Sequence, residues 1–441
     1  MHDMKKLAAL VKELEEQLVV CMRCGMCQAV CPVYTETGRE ADVARGKLAL
    51  LDGLIQQIFK EPGGVHERLM RCLLCGSCAA NCPSGVKVLD IFLKARAILV
   101  GYTGLHPANK IIFRGMLSHP RVFNSLVRAA GMFQGVFLKS ADEFLGTSCG
   151  RFSFPLAHRH LKAFAPASFN TTIGRLNING GSGLKAGFFV GCLIDKIYPN
   201  IGHAVLSSLK ANGVGVFVPD EQGCCGIPAL SSGDLLAFGK MVRYNLDLFS
   251  AGDFDFLVTA CATCTSTIKK LWPMFAGDLS EAEKTRINEL AEKTMDISQF
   301  LVEKTGLVTA ASDGKNFDRE KALISYHDPC HLKKSLGIEA QPRMLLGANS
   351  GYVLKEMSEA DRCCGCGGSF NLKYYEISAS IGRRKRDSIL QSGCSTVATS
   401  CPACMLQISD MLSQAGEHIR VKHAVEIYAD SLERDLDVDT H

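Results

Sequence analysis

Eight cysteines fall in two identical runs, Cys21, Cys24, Cys27, Cys31 and Cys72, Cys75, Cys78, Cys82, each spaced C-x2-C-x2-C-x3-C-P and set 51 residues apart. Four thiols so close together make a tight loop around one polynuclear centre the economical arrangement. This spacing is the bacterial dicluster pattern, in which three cysteines of a run hold one 4Fe–4S cube and the fourth reaches across to the other. On that logic Cys21, Cys24, Cys27 and Cys82 form one set, and Cys72, Cys75, Cys78 and Cys31 the second. Pro32 and Pro83 turn the chain away after the fourth ligand, and Gly25 and Gly76 follow the second cysteine of each run. Zinc sites are the competing reading. They usually pair C-x2-C elements across a longer spacer.

A second repeat organises the rest of the chain. Cys192, Cys224, Cys225, Cys261 and Cys264 recur as Cys330, Cys363, Cys364, Cys401 and Cys404, displaced by 138 to 140 residues. Each copy supplies a lone cysteine, a CCG turn and a C-x2-C. Five sulfur donors exceed what one tetrahedral zinc or one ordinary cubane takes. The surplus points to an unusual cluster, or to a cluster with one cysteine left for redox chemistry. Zinc in one copy and plain buried thiols remain the alternatives.

Helical spacing of apolar residues over 41–59 and 86–100, after each cysteine run, predicts an all-α ferredoxin-like domain. Further on, short apolar runs alternate with helical stretches. Strands are expected at 185–191, 255–260, 321–326 and 396–400, each leading to a cysteine, with helices over 198–211, 234–250 and 374–391 between them. That alternation predicts parallel sheets with ligand chemistry at the carboxyl ends of the strands. The expected fold class is therefore α plus α/β: an all-α two-cluster ferredoxin domain over 1–100, a basic connecting region and linker over 101–184, and a duplicated α/β cysteine-rich module over 185–318 and 319–441. The linker is read from the Asn-, Ser- and Gly-rich stretch within 165–184.

Twenty-one cysteines in a 441-residue chain with a charged start (Lys5, Lys6, Lys12, Glu13, Glu15, Glu16) read as metal-binding thiols of a cytoplasmic protein rather than a secreted disulfide framework. A net charge of +4 gives no global case for nucleic acid. It hides a local bias, since ten Lys and Arg against Asp142 and Glu143 leave residues 97–194 at +8. Arg114, Arg121 and Arg128 recur every seven residues there, with Ile112, Phe113, Leu117, Phe123, Leu126 and Val127 nearby. A basic amphipathic stretch over 105–140 suits peripheral contact with the inner face of the cytoplasmic membrane, a docking face for another protein, or an ordinary solvated surface. No G-x-G-x-x-G after a strand and no P-loop is present, so neither NAD nor FAD is expected on this chain. Cys149 and Cys394 lie outside both repeats and read as packed thiols. Cys366 has no cysteine counterpart in the first copy and reads as packing or support. His327 and His331 bracket Cys330 and divide between hydrogen bonding to cluster sulfur and capping or surface roles.

The repeat C…CCG…C-x2-C resembles the cysteine-rich domain of the heterodisulfide reductase family. A two-cluster ferredoxin followed by two such domains resembles the glycolate oxidase iron–sulfur subunit, the anaerobic glycerol-3-phosphate dehydrogenase C subunit and the fused heterodisulfide reductase D subunit. The segments CMRCGMCQAVCPVY, ARGKLALL, SYHDPCHL and RCCGCGG look most like the glycolate oxidase type. The resemblance implies an iron–sulfur subunit of an oxidoreductase complex, with a partner FAD subunit oxidising glycolate or lactate and quinone or another carrier accepting the electrons. In glycolate oxidase subunits the first copy is often degenerate at C-x2-C, whereas Cys261 and Cys264 are both present here. That departure leans towards heterodisulfide reductase-like content, where all five cysteines bind a non-cubane 4Fe–4S assembly. The resemblance then implies up to two further clusters, and an alternative activity, reduction of a disulfide at such a site.

Overall fold

The first 118 residues form helices and no strand among the described residues, because their apolar positions recur at helical spacing and each cysteine run needs a loop rather than a ladder. The computed structural model describes residues 4–59, 61–152, 158–275, 279–307 and 321–436. Helices Ala44–Ile55 and Val88–Thr103 follow the two runs and bury Leu48, Leu51, Leu54, Ile91, Phe92 and Leu99 in one core with helices Met4–Lys12 and Gly63–Met70. These bury the apolar face that holds both cysteine loops against one core.

Strands β1 (Leu138–Asp142), β2 (Thr147–Gly150) and β3 (Leu161–Lys162) then make a small antiparallel sheet. The first α/β module follows with β4 (Leu176–Ile178), β5 (Lys185–Phe189), β6 (Gly215–Val218), β7 (Phe256–Thr259) and β8 (Thr294–Asp296), in the order β4-β6-β5-β7-β8. Only β4 runs antiparallel. The second module contains β9 (Ala322–His327), β10 (Tyr352–Leu354), β11 (Thr396–Thr399) and β12 (Arg420–His423), all parallel, in the order β10-β9-β11-β12. Strand for strand, β6-β5-β7-β8 and β10-β9-β11-β12 are the same arrangement. The registers coincide too: Phe189 lies opposite Thr259 as His327 lies opposite Thr399. In both sheets the order reverses between the first and third strands of the module, the crevice where open α/β sheets place their ligands.

The helices expected over 198–211, 234–250 and 374–391 are Pro199–Ala211, Leu235–Ser250 and Tyr375–Ser392. The stretch 165–184 differs from a plain linker. Helix Phe169–Ile173 buries Phe169, and β4 borders β6, so this segment closes the edge of the first sheet. The modules are joined by helix Pro199–Ala211 lying along helix Ala424–Leu436, and Asn212 donates to the Tyr428 hydroxyl at 3.0 Å. The last parallel strand of each module ends in a buried capping side chain. Asp296 accepts from the Ser298 N–H and His423 from the Val425 N–H. Burial pushes Asp296 up to about 7 and His423 down to about 4, so between those values both stay uncharged.

Candidate metal centres

Each α/β module brings its cysteines to the carboxyl ends of its central strands. Cys192 opens the short helix after β5 and Cys330 the turn after β9. Cys261 and Cys401 cap the helices after β7 and β11 with nearly the same backbone, φ/ψ −143°/107° and −145°/113°. Helix N-termini favour the thiolate that binds metal. The CCG turns arrive from β6 and β10. Gly226 and Gly365 close them at φ +95° and +91°, and a Cβ there would meet Phe238 or the Ser378 carbonyl at about 2.6 and 2.5 Å respectively. Asn245 fixes the first turn by accepting from the Gly223 N–H and donating to the Cys224 carbonyl, each at 3.0 Å. Trp272 donates to the Cys225 carbonyl at 2.9 Å.

The five thiols of each module meet, and the two groups meet each other. In the first, Cys192 contacts Cys224, Cys225 contacts Cys264, and Cys264 contacts Cys261. Cys261 lies against Cys401 of the second module, where the Ala262 N–H also bonds the Ser400 carbonyl at 3.0 Å. From Cys401 the series continues through Cys404 to Cys364, 3.4 Å away, then to Cys363 and Cys330. Cys330 and Cys363 both contact Cys75 of the second ferredoxin run. Thiols brought together from separate strand ends in a nearly anhydrous interior fit a sulfur-ligated cluster far better than packing. Among the described residues the thiols are all unpaired by disulfides.

On the better buried side of the ferredoxin part, the last cysteine of the first run lies among cysteines of the second. Cys31 sits with Cys72 and Cys75, and its thiol is pushed up to about 11 by burial, opposed by the Tyr34 N–H that it accepts at 3.5 Å. Cys78 joins the same set, its thiol pushed up by burial. Cys21 and Cys27 are neighbours, and Cys24 is exposed. Cys82 is half-buried and packs against the main core. Gly25 and Gly76, at φ +88° and +74°, start the short helices inside each loop.

Several residues near these thiols carry no sequence signature. Lys47 is 1% exposed between Cys31 and Cys72, and its ammonium bonds the Asp42 carbonyl. Lys385 is also buried, beside Cys364, Cys330 and Cys363, and donates to the Glu359 carbonyl at 2.6 Å. Lys334 bridges the second ferredoxin loop and the second module through Ser77 at 2.8 Å and the Asp361 carbonyl at 2.7 Å. Buried cations offset the negative charge of thiolate-ligated clusters and raise their potentials. His331 pairs with Thr263 across the modules at 3.0 Å, and Thr263 lies 3.6 Å from Cys401. Cys366 lies beside Cys364, its thiol pushed up by burial and by that neighbour. Cys394 is buried away from the thiol series, and Cys149 is half-buried on β2.

Fold and site together define an iron–sulfur protein with a ferredoxin-like part and a duplicated cysteine-rich part. Residues 17–86 match the 4Fe-4S dicluster domain family, and residues 186–269 and 324–409 each match the family described as cysteine-rich domain. Over 435 residues the chain is 28% identical to a probable glycolate oxidase iron-sulfur subunit of Bacillus subtilis, covering 94% of each chain. A fumarate reductase (CoM/CoB) subunit of Methanothermobacter marburgensis is 29% identical, over 90% of this chain and 68% of its own. Lactate utilization protein A of an Exiguobacterium species is 32% identical over 239 residues, 54% of this chain and 94% of the relative. The chain belongs to this family of oxidoreductase iron–sulfur subunits, of the glycolate oxidase and lactate utilization type. Among the described residues no helix is long and apolar enough to cross a membrane.

Proposed function

We propose that the chain is the electron-transfer subunit of a flavin-linked 2-hydroxy-acid dehydrogenase, taking electrons from a partner FAD subunit and delivering them to quinone. Iron–sulfur clusters, when bound, supply one-electron carriage; the chain supplies order, insulation and docking. The ligands are assigned as Cys21, Cys24, Cys27 and Cys82, then Cys72, Cys75, Cys78 and Cys31, then the five thiols of each cysteine-rich module. The observation that carries the reading is the unbroken thiol series from Cys75 through the second module to Cys192 in the first. The first ferredoxin loop and the Cys192 end of that series differ in what surrounds them.

At the first ferredoxin loop Cys24 is exposed among Val19, Met22 and Met26, each more than half exposed, a surface suited to a partner protein. At the other end, a cleft lined by Cys192, Cys224, Asp195, Lys196 and Gln222 is roofed by Leu117, Pro120 and Phe123. Those roof residues begin the basic region, and helix Pro120–Phe137 continues it. Two of its expected cations are held by the first module: Arg114 binds buried Asp234 at 2.9 and 3.0 Å, and Arg121 binds Glu221 at 2.8 Å. The outward face is instead an apolar ridge of Val122, Leu126, Phe133, Val136 and Phe137, bordered by exposed Arg128 and Lys139. We assign this ridge to an anionic bilayer, which would bring a lipid-soluble acceptor to the surface over Cys192, outside the narrow cleft itself.

Two measurements test the assignment. Glycolate or lactate, offered with the flavoprotein, should reduce the clusters and then a quinone; reduction of a heterodisulfide by the isolated chain with a viologen donor would instead favour the disulfide-reductase reading, which the intact Cys261–Cys264 pair supports. The chain should sediment with phosphatidylglycerol vesicles at low salt and be released at high salt, with phosphatidylcholine vesicles binding less. Phe133→Glu should abolish sedimentation without changing iron content. Equal binding by that variant would remove the ridge from the proposal.

A further inference from the structure

The two cysteine-rich modules are copies in strand order and thiol placement, yet one position between them differs in kind. Phe189 ends β5 and His327 ends β9, and both occupy the same register against the neighbouring strand, opposite Thr259 and Thr399. Phe189 packs in an aromatic group with Phe249 and Trp272. His327, fully buried, has one ring nitrogen satisfied: Nδ1 lies 3.1 Å from the Ala360 carbonyl, which can only accept. The proton therefore sits on Nδ1, and in the neutral ring Nε2 presents a lone pair.

That nitrogen has no nitrogen or oxygen partner among the described residues, and its neighbour is the sulfur of Cys364. The ring lies with the sulfurs of Cys364 and Cys404, a ring nitrogen and the two sulfurs all within 4.8 Å of one another. A buried imidazole nitrogen set against two sulfurs is satisfied either by a proton shared with a thiol or by a cation bound among the three, and a thiol-rich site that binds iron supplies the cation. Fixing one ring nitrogen on a backbone carbonyl while the other faces outward is also how metal-ligating histidines are held. His331, the other candidate, pairs with Thr263 and the Leu74 carbonyl, so its nitrogens are both engaged.

We propose that His327 Nε2 is a nitrogen ligand to iron in the second cysteine-rich site, beside the thiolates of Cys364 and Cys404, so that the second site is a mixed sulfur–nitrogen centre and the first an all-sulfur one. The proposal rests on the reading that the second site holds iron. Imidazole is neutral where thiolate is anionic, and histidine ligation raises iron–sulfur potentials. The second site then has the higher potential of the pair, reinforced by Lys385, buried beside Cys364, Cys330 and Cys363.

The test uses the full chain purified anaerobically, its metals counted, and pulsed electron paramagnetic resonance on samples grown with natural or 15N-labelled histidine. The expected result is one strongly coupled histidine nitrogen in the wild type, altered by the label. The signal should be absent in His327→Phe, which installs the residue the first module uses, and retained in His331→Phe. A redox titration should find one centre lowered in potential in His327→Phe. An iron-filled second site with no coupled histidine nitrogen, or a signal that survives in His327→Phe, overturns the ligand assignment. Iron at about eight per chain, or zinc in place of the further iron, overturns the reading beneath it. Because the decisive signal is read on the wild type, misfolding of a variant does not rescue the proposal.

Discussion

Replacing Cys401 with alanine is expected to stop electron delivery to quinone while leaving reduction of the ferredoxin clusters intact. Cys401 is the thiol of the second module that faces the first, contacting Cys261 on one side and Cys404 on the other. Removing it takes a ligand from the second site and opens the series at its centre. Iron should fall from about sixteen to about twelve per chain if both modules are filled with four-iron clusters. Turnover with quinone should drop at least about a hundredfold, equivalent to losing roughly 2.7 kcal/mol of transition-state stabilisation. Fast mixing with reduced flavoprotein should still bleach the ferredoxin absorbance at its usual rate. The helix that follows should survive, since Cys401 caps it without a side-chain hydrogen bond and Pro402 still starts it. Unchanged quinone turnover would show that electrons leave before the second module. A slowed first bleaching would place Cys401 in the donor's path instead.

What the sequence discloses and what it hides separate along physical lines. Thiol spacing is a local quantity, so both ferredoxin runs and both C…CCG…C-x2-C repeats are legible without coordinates. The strand ends are legible as well, because buried parallel strands read as short apolar runs; β6 and β11 are buried along their whole length. The contacts between centres are not. Cys75 meets Cys330, and Cys261 meets Cys401, through the docking of modules, which leaves no periodicity in the chain. The same holds for His327. Beside Cys330 in sequence it divides between a hydrogen bond to cluster sulfur and a capping or surface role, and only the ladder between β9 and β11 carries it into the interior. The basic stretch shows the opposite error. Seven-residue spacing puts Arg114, Arg121 and Arg128 on one face of an ideal helix, but Arg114 precedes the break at Ser118–His119, so it turns inward to Asp234. The edge strand β4 is hidden for another reason: three residues beside a Gly-rich turn carry too little apolar signal to distinguish a strand from a linker.

Arg96→Met is expected to loosen the ferredoxin part from the first cysteine-rich module, at a cost of about 3–5 kcal/mol in stability. Arg96 lies on helix Val88–Thr103 and is 2% exposed, a buried cation with no carboxylate on it. Its guanidinium is held by carbonyls instead: Nε and Nη2 donate to Leu69 at 3.2 and 2.6 Å, Nη2 to Cys72 at 2.9 Å, and Nη1 to Ser231 at 2.6 Å. Leu69 and Cys72 belong to the approach to the second ferredoxin run, whereas Ser231 ends the helix after the first CCG turn. One side chain therefore ties two cluster-bearing loops to each other. Methionine keeps much of the volume but leaves three buried carbonyls unpaired, which is the expensive half of losing a hydrogen bond. Gly233 adds a steric limit at the same joint, since a Cβ there would stand 2.6 Å from the Arg96 carbonyl. Urea unfolding of the anaerobic protein should show the loss as an earlier midpoint. The cluster bound by the second run should become more labile to chelators than in the wild type. Arg121→Met, by comparison, removes an ion pair whose arginine is 85% exposed and should leave the unfolding midpoint nearly unmoved. If the two variants melt alike, the carbonyl cage around Arg96 is not what joins the modules, and the weight falls on the apolar contacts between Val100 and the turn at Gly233.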